Sequence, residues 1–204
     1  SDVTYLSVQE HFRKSKTIDK YFKDQFPSYN AFVIPGFREQ GQTRGRPQAG
    51  IAQLSRANVG ILKSRVHSNS SRVQAQILNF SASKLLWINA YFPCDPQTEE
   101  FDDIELISVL NEIERILDTA QFDDVLMCAD MNWDMSRTGG FSVTVRRFLD
   151  RLNLCSLWET HPVDFTHVHT DFHSVSTLDH FVCNERLLPF VKSCGVMHFG
   201  DNPS

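Results

Sequence analysis

The chain has 204 residues, 41% of them hydrophobic and 22% charged, with a formal net charge of −5 at pH 7. This length and balance fit one ordinary domain with a sizeable core and exclude a disordered or fibrous chain. No apolar run approaches the roughly twenty residues of a membrane span, so no membrane partner is expected.

The chain opens Ser1-Asp2-Val3-Thr4-Tyr5, neither a start methionine nor a signal peptide, as if cut from a longer protein within a strand. Val3 to Val8 is β-branched and apolar, which predicts a strand running into Gln9-Glu10. Residues 16–26 keep helical spacing through Ile18, Tyr21, Phe22 and Phe26 and stop at Pro27. Ala31 to Ile34 is a short strand, and the stretch from Gly36 to Gly50, rich in Gly, Gln and Arg, is a loop. Four strands are predicted next, over Ile51–Leu54, Val59–Leu62, Val73–Phe80 and Leu85–Phe92. From Glu99 to Thr119 the period turns helical, with acidic residues at the favourable end of the helix dipole. Val125 to Ala129 is a continuous apolar strand expected to be buried on both faces. A helix near Ser142–Leu152 follows, then strands near Phe165–Val168, Thr177–Cys183 and Gly195–Phe199. This order predicts an α/β (α+β) fold: two mixed sheets packed as a sandwich with helices on the outer faces, four layers in all.

The net charge hides an asymmetry. Residues 1–84 hold 13 Lys+Arg against 5 Asp+Glu, and residues 85–204 hold 7 against 20. A basic half suits a polyanion near one surface and an acidic half suits a cation, although segregated solvated faces would look the same. Five cysteines, Cys94, Cys128, Cys155, Cys183 and Cys194, form no Cys-x-x-Cys pair, and three sit in apolar contexts as buried free thiols do. That usage points to a reducing compartment, nuclear or cytoplasmic, rather than to a disulfide scaffold.

Chemistry concentrates where strands end. Cys128-Ala129-Asp130-Met131-Asn132 closes an apolar strand with a carboxylate and, two residues on, a side-chain amide. Polar groups at such a strand edge face a crevice, where Asp130 can take a proton from water and Asn132 can hold an oxygen; a local Asx turn is the alternative. Glu10 leaves the first strand as a ligand for a hard cation or as a solvated acid before a helix. Asp179, inside a strand-like run, needs a partner if buried and otherwise faces solvent on an edge strand. His167, His169 and His173 lack zinc-like partners, so they are expected to be ordinary exposed or core histidines. Gly41, Gly45 and Gly50, threaded with Arg44 and Arg46, match no nucleotide loop; a basic loop able to touch a phosphate backbone is expected.

Val8-Gln9-Glu10, Arg44-Gly45-Arg46-Pro47 with Ala49-Gly50-Ile51-Ala52, Ile88-Asn89-Ala90-Tyr91-Phe92-Pro93, Asp130-Met131-Asn132, Phe165-Thr166 and Ser176-Thr177-Leu178-Asp179-His180 follow one another along the chain. In that order they resemble the motifs of the endonuclease/exonuclease/phosphatase superfamily, whose fold is DNase I-like. Each motif is weak alone; the ordered set covers essentially the whole chain. Among its members the likeness is greatest to the endonuclease domains of non-LTR retrotransposons, which nick DNA to prime reverse transcription. The resemblance implies a Mg²⁺-dependent (or Mn²⁺-dependent) phosphodiesterase with Glu10 on the metal. It also implies Asp130 as the base for water, Asn132 positioning water or a phosphate oxygen, Tyr91 donating to the phosphate, Asp179 partnering a histidine, and Arg44 and Arg46 on DNA. DNA is the implied partner, with a reverse transcriptase domain expected in the parent chain.

Three departures go with it. The superfamily's asparagine upstream of Glu10 has no counterpart, Cys94 stands where an asparagine commonly follows the Tyr segment, and Ser204 fits only the first residue of a closing Ser-Asp-His triplet. Residues 1–204 are therefore expected to form a single domain short of its first strand and its terminal Asp-His, with weak or no activity by itself. Two other readings stay open: a phosphatase of the same superfamily acting on inositol phosphates or lipids, and a non-catalytic remnant that binds DNA or a partner.

Overall fold

The strands of this chain alternate apolar side chains between two unlike faces, one against helices and one against a second sheet. The computed structural model describes residues 3–37, 49–94, 103–134, 137–169 and 174–197. Its elements are β1 (Tyr5–Val8), α1 (Ser15–Gln25), β2 (Tyr29–Ile34), β3 (Ile51–Arg56), β4 (Leu62–Val66), β5 (Val73–Asn79), β6 (Lys84–Tyr91), α2 (Ile104–Thr119), β7 (Asp124–Asp130), α3 (Phe141–Arg151), β8 (Leu154–Ser156), β9 (His167–Val168), β10 (Val175–Ser176) and β11 (Asp179–Asn184). One sheet has the order β1-β3-β2 and a larger one the order β4-β5-β6-β7-β11-β8, with β9 and β10 forming a separate hairpin. β6 and β7 run parallel, with α2 as their crossover, while their other neighbours are antiparallel.

Residue parity sets the layers. In β3, Ala52 and Leu54 pack on Ile18 and Phe22 of α1. In the larger sheet Val73, Ala75, Leu86, Ile88, Val125, Met127 and Ala129 meet Leu106, Val109, Ile113 and Ile116 of α2 and Val145 and Phe148 of α3. Each such large side chain contributes about 1.5–3 kcal/mol on burial. The result is a four-layer sandwich of helix, sheet, sheet and helices, as the element order predicts.

Between the sheets, beside an apolar cleft lined by Tyr5, Leu78, Leu85, Trp87 and Leu126, the interior carries buried amides. Gln53, Gln74, Gln76 and Asn89 are buried there. Gln53 Nε2 donates to Trp87 O at 2.8 Å and its Oε1 accepts from Gln76 Nε2 at 3.1 Å. Gln74 Nε2 donates to Phe32 O at 2.9 Å, and Asn89 Nδ2 donates to Ala52 O at 2.9 Å. Side-chain amides thus tie the sheets together where an apolar sandwich would rely on interdigitation alone, and each donor finds an acceptor, as buried polar groups must.

The structure moves several predicted boundaries. Val59–Leu62 is not a strand: Ala57 and Asn58 turn the chain and β4 starts at Leu62, where Leu62 and Arg65 lie exposed on the edge of the sheet and its polar residues hide the strand period. Phe165–Val168 narrows to the two residues of β9, and residues 195–197 form no strand. α2 starts at Ile104 rather than Glu99, residues 99–102 lying outside the described ones. β7 is buried on its helix face only; Leu126, Cys128 and Asp130 are half-buried on the other, where Leu126 and Cys128 line a cleft of about 550 Å³.

Candidate active site

The site forms at the end of the sandwich where β1, β6 and β7 terminate and β11 begins. Parallel pairing sets Tyr91 beside Asp130, and antiparallel pairing sets Asp179 on the other side of Asp130. The same register therefore lines up three of the candidate residues across one sheet edge. Glu10 reaches them from the other sheet. It leaves β1 with φ 53, in the left-handed region that non-glycine residues rarely enter, and Phe12 does the same. Its backbone neighbourhood is pinned: His11 N donates to Gly50 O at 3.2 Å, Phe12 N to Ala49 O at 3.1 Å, and Gln9 Nε2 to Asn89 Oδ1 at 2.6 Å. Strain held in this way is a property of functional loops.

Contacts close the group. Tyr91 Oη donates to Glu10 Oε1 at 2.8 Å. Asn132 N donates to Asp130 Oδ1 at 3.0 Å, and Asn132 Nδ2 donates to Phe92 O at 2.8 Å. The Asn132 N–Asp130 Oδ1 bond is an Asx turn, the local reading of Asp130-Met131-Asn132, and it lies at the sheet edge beside Tyr91 and Asp179. Asn132 adopts φ 54, which asparagine tolerates. Thr166 Oγ1 accepts from Leu178 N and Asp179 N at 2.9 and 3.0 Å, fixing where β11 starts.

Three carboxylates share this edge, and their acidities register it. Burial first, then Asp179, with Glu10 adding, pushes Asp130 up to about 7 against the pull of Asn132 N–H. Asp179 is exposed yet also raised: surrounding protein displaces water from its carboxyl and Glu10 adds, while Thr166 and His167 pull it down. The Tyr91 phenol is held well above its ordinary range, by burial and then by its bond to Glu10.

Glu10, Tyr91, Asp130, Asn132 and Asp179 are thus brought together. Arg44 and Arg46 lie outside the described residues. Glu10 is not a helix-start acid, since α1 begins only at Ser15. His167 and His169 stand 4.9 Å apart on and beside the β9 hairpin, with His167 exposed and His169 half-buried. His180, next to Asp179, points to the helix side, where it is buried, stacks on Trp133, donates to Thr177 O at 3.0 Å and is held down near 4 by burial.

No protein-family model matches the sequence, and no curated protein does. Solved structures match over nearly the whole chain. A 3′-5′ exonuclease from Neisseria meningitidis aligns with TM-score 0.63 at 13% identity, covering 93% of this chain and 80% of that one. A mannosyl-6-phosphatase from Bacteroides thetaiotaomicron aligns with TM-score 0.58 at 16% identity, covering 90% and 72%. The endonuclease domain of TRAS1, a telomere-specific non-LTR retrotransposon, aligns with TM-score 0.57 at 14% identity, covering 90% and 87%. The fold is that of the endonuclease/exonuclease/phosphatase proteins.

In this fold the chain adds residues at the crevice that its sequence does not announce. Arg72, at the foot of β5, accepts Tyr91 N on its backbone carbonyl at 2.9 Å, sets its guanidinium 5.2 Å from the Tyr91 ring and pairs with Glu105 at 3.1 Å. Cys94 is exposed beside Glu10 and Asp130, whose charges raise its thiol after burial does. Trp158 Nε1 donates to Asp179 O at 2.7 Å. The signal for Arg72 is a lone arginine opening a strand, which reads as an ordinary edge residue until β5 pairs with β6.

Proposed function

We propose that the chain is a metal-dependent phosphodiesterase domain that nicks DNA, of retrotransposon origin. The observation that carries this reading is the meeting of Glu10, Tyr91, Asp130, Asn132 and Asp179, from distant parts of the sequence, at one sheet edge. The donor set fits a hard cation: all oxygen, with a carboxyl, Asp130, lifted by burial and then by the neighbouring carboxylates, a repulsion that a cation would relieve. Among the described residues no group of three or more His, Cys, Asp or Glu is arranged to hold a metal. In this reading Mg²⁺ or Mn²⁺ would be held by one carboxylate, Glu10, with water and substrate oxygens completing the shell. A cation bound there supplies charge stabilisation on the phosphate oxygens and the leaving alkoxide.

The chain's own groups do the rest. Asp130, with an acidity near neutrality, is matched to taking a proton from water at cellular pH. Tyr91 stays protonated and offers its O–H to a phosphate oxygen. Asn132 positions both, holding Asp130 by its backbone N–H and lying against the Tyr91 phenol by its amide. Asp179 is the acid that an imidazole in the crevice would pair with. The likeness in fold to an exonuclease and a retrotransposon endonuclease supports DNA as substrate, and a reverse transcriptase domain is the expected companion in the parent protein.

The likeness to a mannosyl-6-phosphatase favours a second reading, a phosphatase on small phosphorylated molecules such as inositol phosphates. Supercoiled plasmid with Mg²⁺, run beside a panel of inositol phosphates, separates the two. The expected result is weak nicking of plasmid by the wild type, lost in Glu10→Ala, with the inositol phosphates left intact. Release of phosphate from the panel with plasmid left intact would overturn the nuclease reading.

A further inference from the structure

Cys155 and Cys183 stand opposite each other on the antiparallel pair β8–β11. Facing Cα atoms in such a ladder lie about 4.5–5.5 Å apart, within the roughly 4.4–6.8 Å that a disulfide spans. Facing residues also point to the same side of the sheet, so the two sulfurs are neighbours. Cys155 Sγ approaches Cys183 O at 3.4 Å, and both residues are free thiols. Burial first, then Cys155, with Cys194 adding, pushes the Cys183 thiol up to about 12, so three sulfurs share this corner of the fold. No metal arrangement accounts for their grouping among the described residues.

Access differs between the two. Cys183 is fully buried, whereas Cys155 is half-buried on a three-residue strand at the sheet's edge. Short edge strands open locally at low cost, which exposes Cys155 without unfolding the core.

We propose that Cys155 and Cys183 form a reversible cross-strand disulfide, a redox-responsive staple on the strand that carries Asp179. The two thiols give up two protons and two electrons as the S–S bond forms; glutathione disulfide accepts them and leaves as two molecules of glutathione. The link joins β8 to β11, and the turn of 3-10 helix after β8 carries Trp158, whose indole donates to Asp179 O at 2.7 Å. Oxidation therefore fixes the backbone beneath Asp179. In a reducing compartment such bonds are transient and regulatory rather than structural. This inference stands whether or not the chain cleaves DNA.

The test uses the 204-residue chain, fully reduced and then incubated with glutathione disulfide. Peptide mapping without reductant is expected to find Cys155 linked to Cys183 with the loss of two hydrogens. The midpoint of thermal unfolding is expected to rise by roughly 5–10 °C and to return on adding dithiothreitol. Cys155→Ser gives neither change. Recovery of both cysteines as free or glutathione-capped thiols would overturn the proposal, as would links to other cysteines in their place or a linked protein whose midpoint does not rise.

Discussion

Asp130 concentrates the chemistry of the site in one side chain. Its carboxyl, pushed up to about 7 by burial and by Asp179, must lose its proton to act as a base. Nicking is therefore expected to fall by roughly tenfold per unit as pH drops through the range where Asp130 takes up its proton, a range that a bound cation moves below about 7, and to be lost at every pH in Asp130→Asn. The same shift has a stability sign. A carboxyl whose folded value lies above its unfolded one favours folding below the unfolded value and loses that contribution as pH rises through the folded value. Asp130→Asn is accordingly expected to melt higher than wild type at pH 8, with the difference gone by pH 4, as calorimetry would show. An Asn variant no more stable than wild type at pH 8 would mean that Asp130 is not strained by its neighbours. Tyr91→Phe removes the donor that the proposed mechanism places at the phosphate and keeps the ring, so kcat is expected to drop about 10²–10³-fold with little change in KM.

At the scale of elements, the turn into β3 holds two successive residues in the left-handed region. Ala49 occupies φ 53 and Gly50 φ 94, and a Cβ at Gly50 would overlap the His11 ring. Ala49 therefore stands in a left-handed position where a glycine fits at lower cost. Ala49→Gly is expected to change stability by less than about 1 kcal/mol, measured by urea unfolding, because relief of the left-handed penalty is offset by the loss of a methyl buried with Ile51 and Tyr91 and by the added freedom of the unfolded chain. Gly50→Ala should destabilise it and lower activity, since His11 and Phe12, bonded to this turn, hold Glu10 in place. α2 shows the complementary case of an acid serving structure. Glu112 accepts Asn69 N at 2.8 Å and Arg115 Nη2 at 2.7 Å, and Arg115 is the first cause of its fall to about 2.

Across the whole molecule, the two sheets are coupled through Asn89. Its Oδ1 accepts Gln9 Nε2 at 2.6 Å, and its Nδ2 donates to Val8 O at 3.2 Å and Ala52 O at 2.9 Å. One buried amide thus sets the height of β1 and β3 above β6, and with it the reach of Glu10 toward Tyr91. Asn89→Ala is expected to cost roughly 2–5 kcal/mol in stability and to lower nicking more than its effect on folding explains. Activity per folded molecule equal to wild type would show that Glu10 is placed by its own turn alone.

What the sequence determined by itself was what periodicity and strand ends carry. α1, α3, β5, β6 and β7 follow from apolar spacing and the four layers from element order; Glu10, Asp130 and Asn132 stood out as polar residues where strands stop, Asp179 as a carboxylate inside a strand-like run, and Tyr91 only through the family resemblance. Only tertiary structure decided the remainder. Register, which no local pattern states, puts Asp179 and Tyr91 on either side of Asp130 and Cys155 opposite Cys183. Burial decided that Gln53, Gln74 and Asn89 bridge two sheets, which a polar residue within a strand does not announce. The edge strand β4 and the short strands β8 and β10 were hidden because an exposed or very short strand has no apolar face to display. Local sequence encodes which face is apolar; which residues meet across it depends on pairing between distant segments, and the site belongs to that second level.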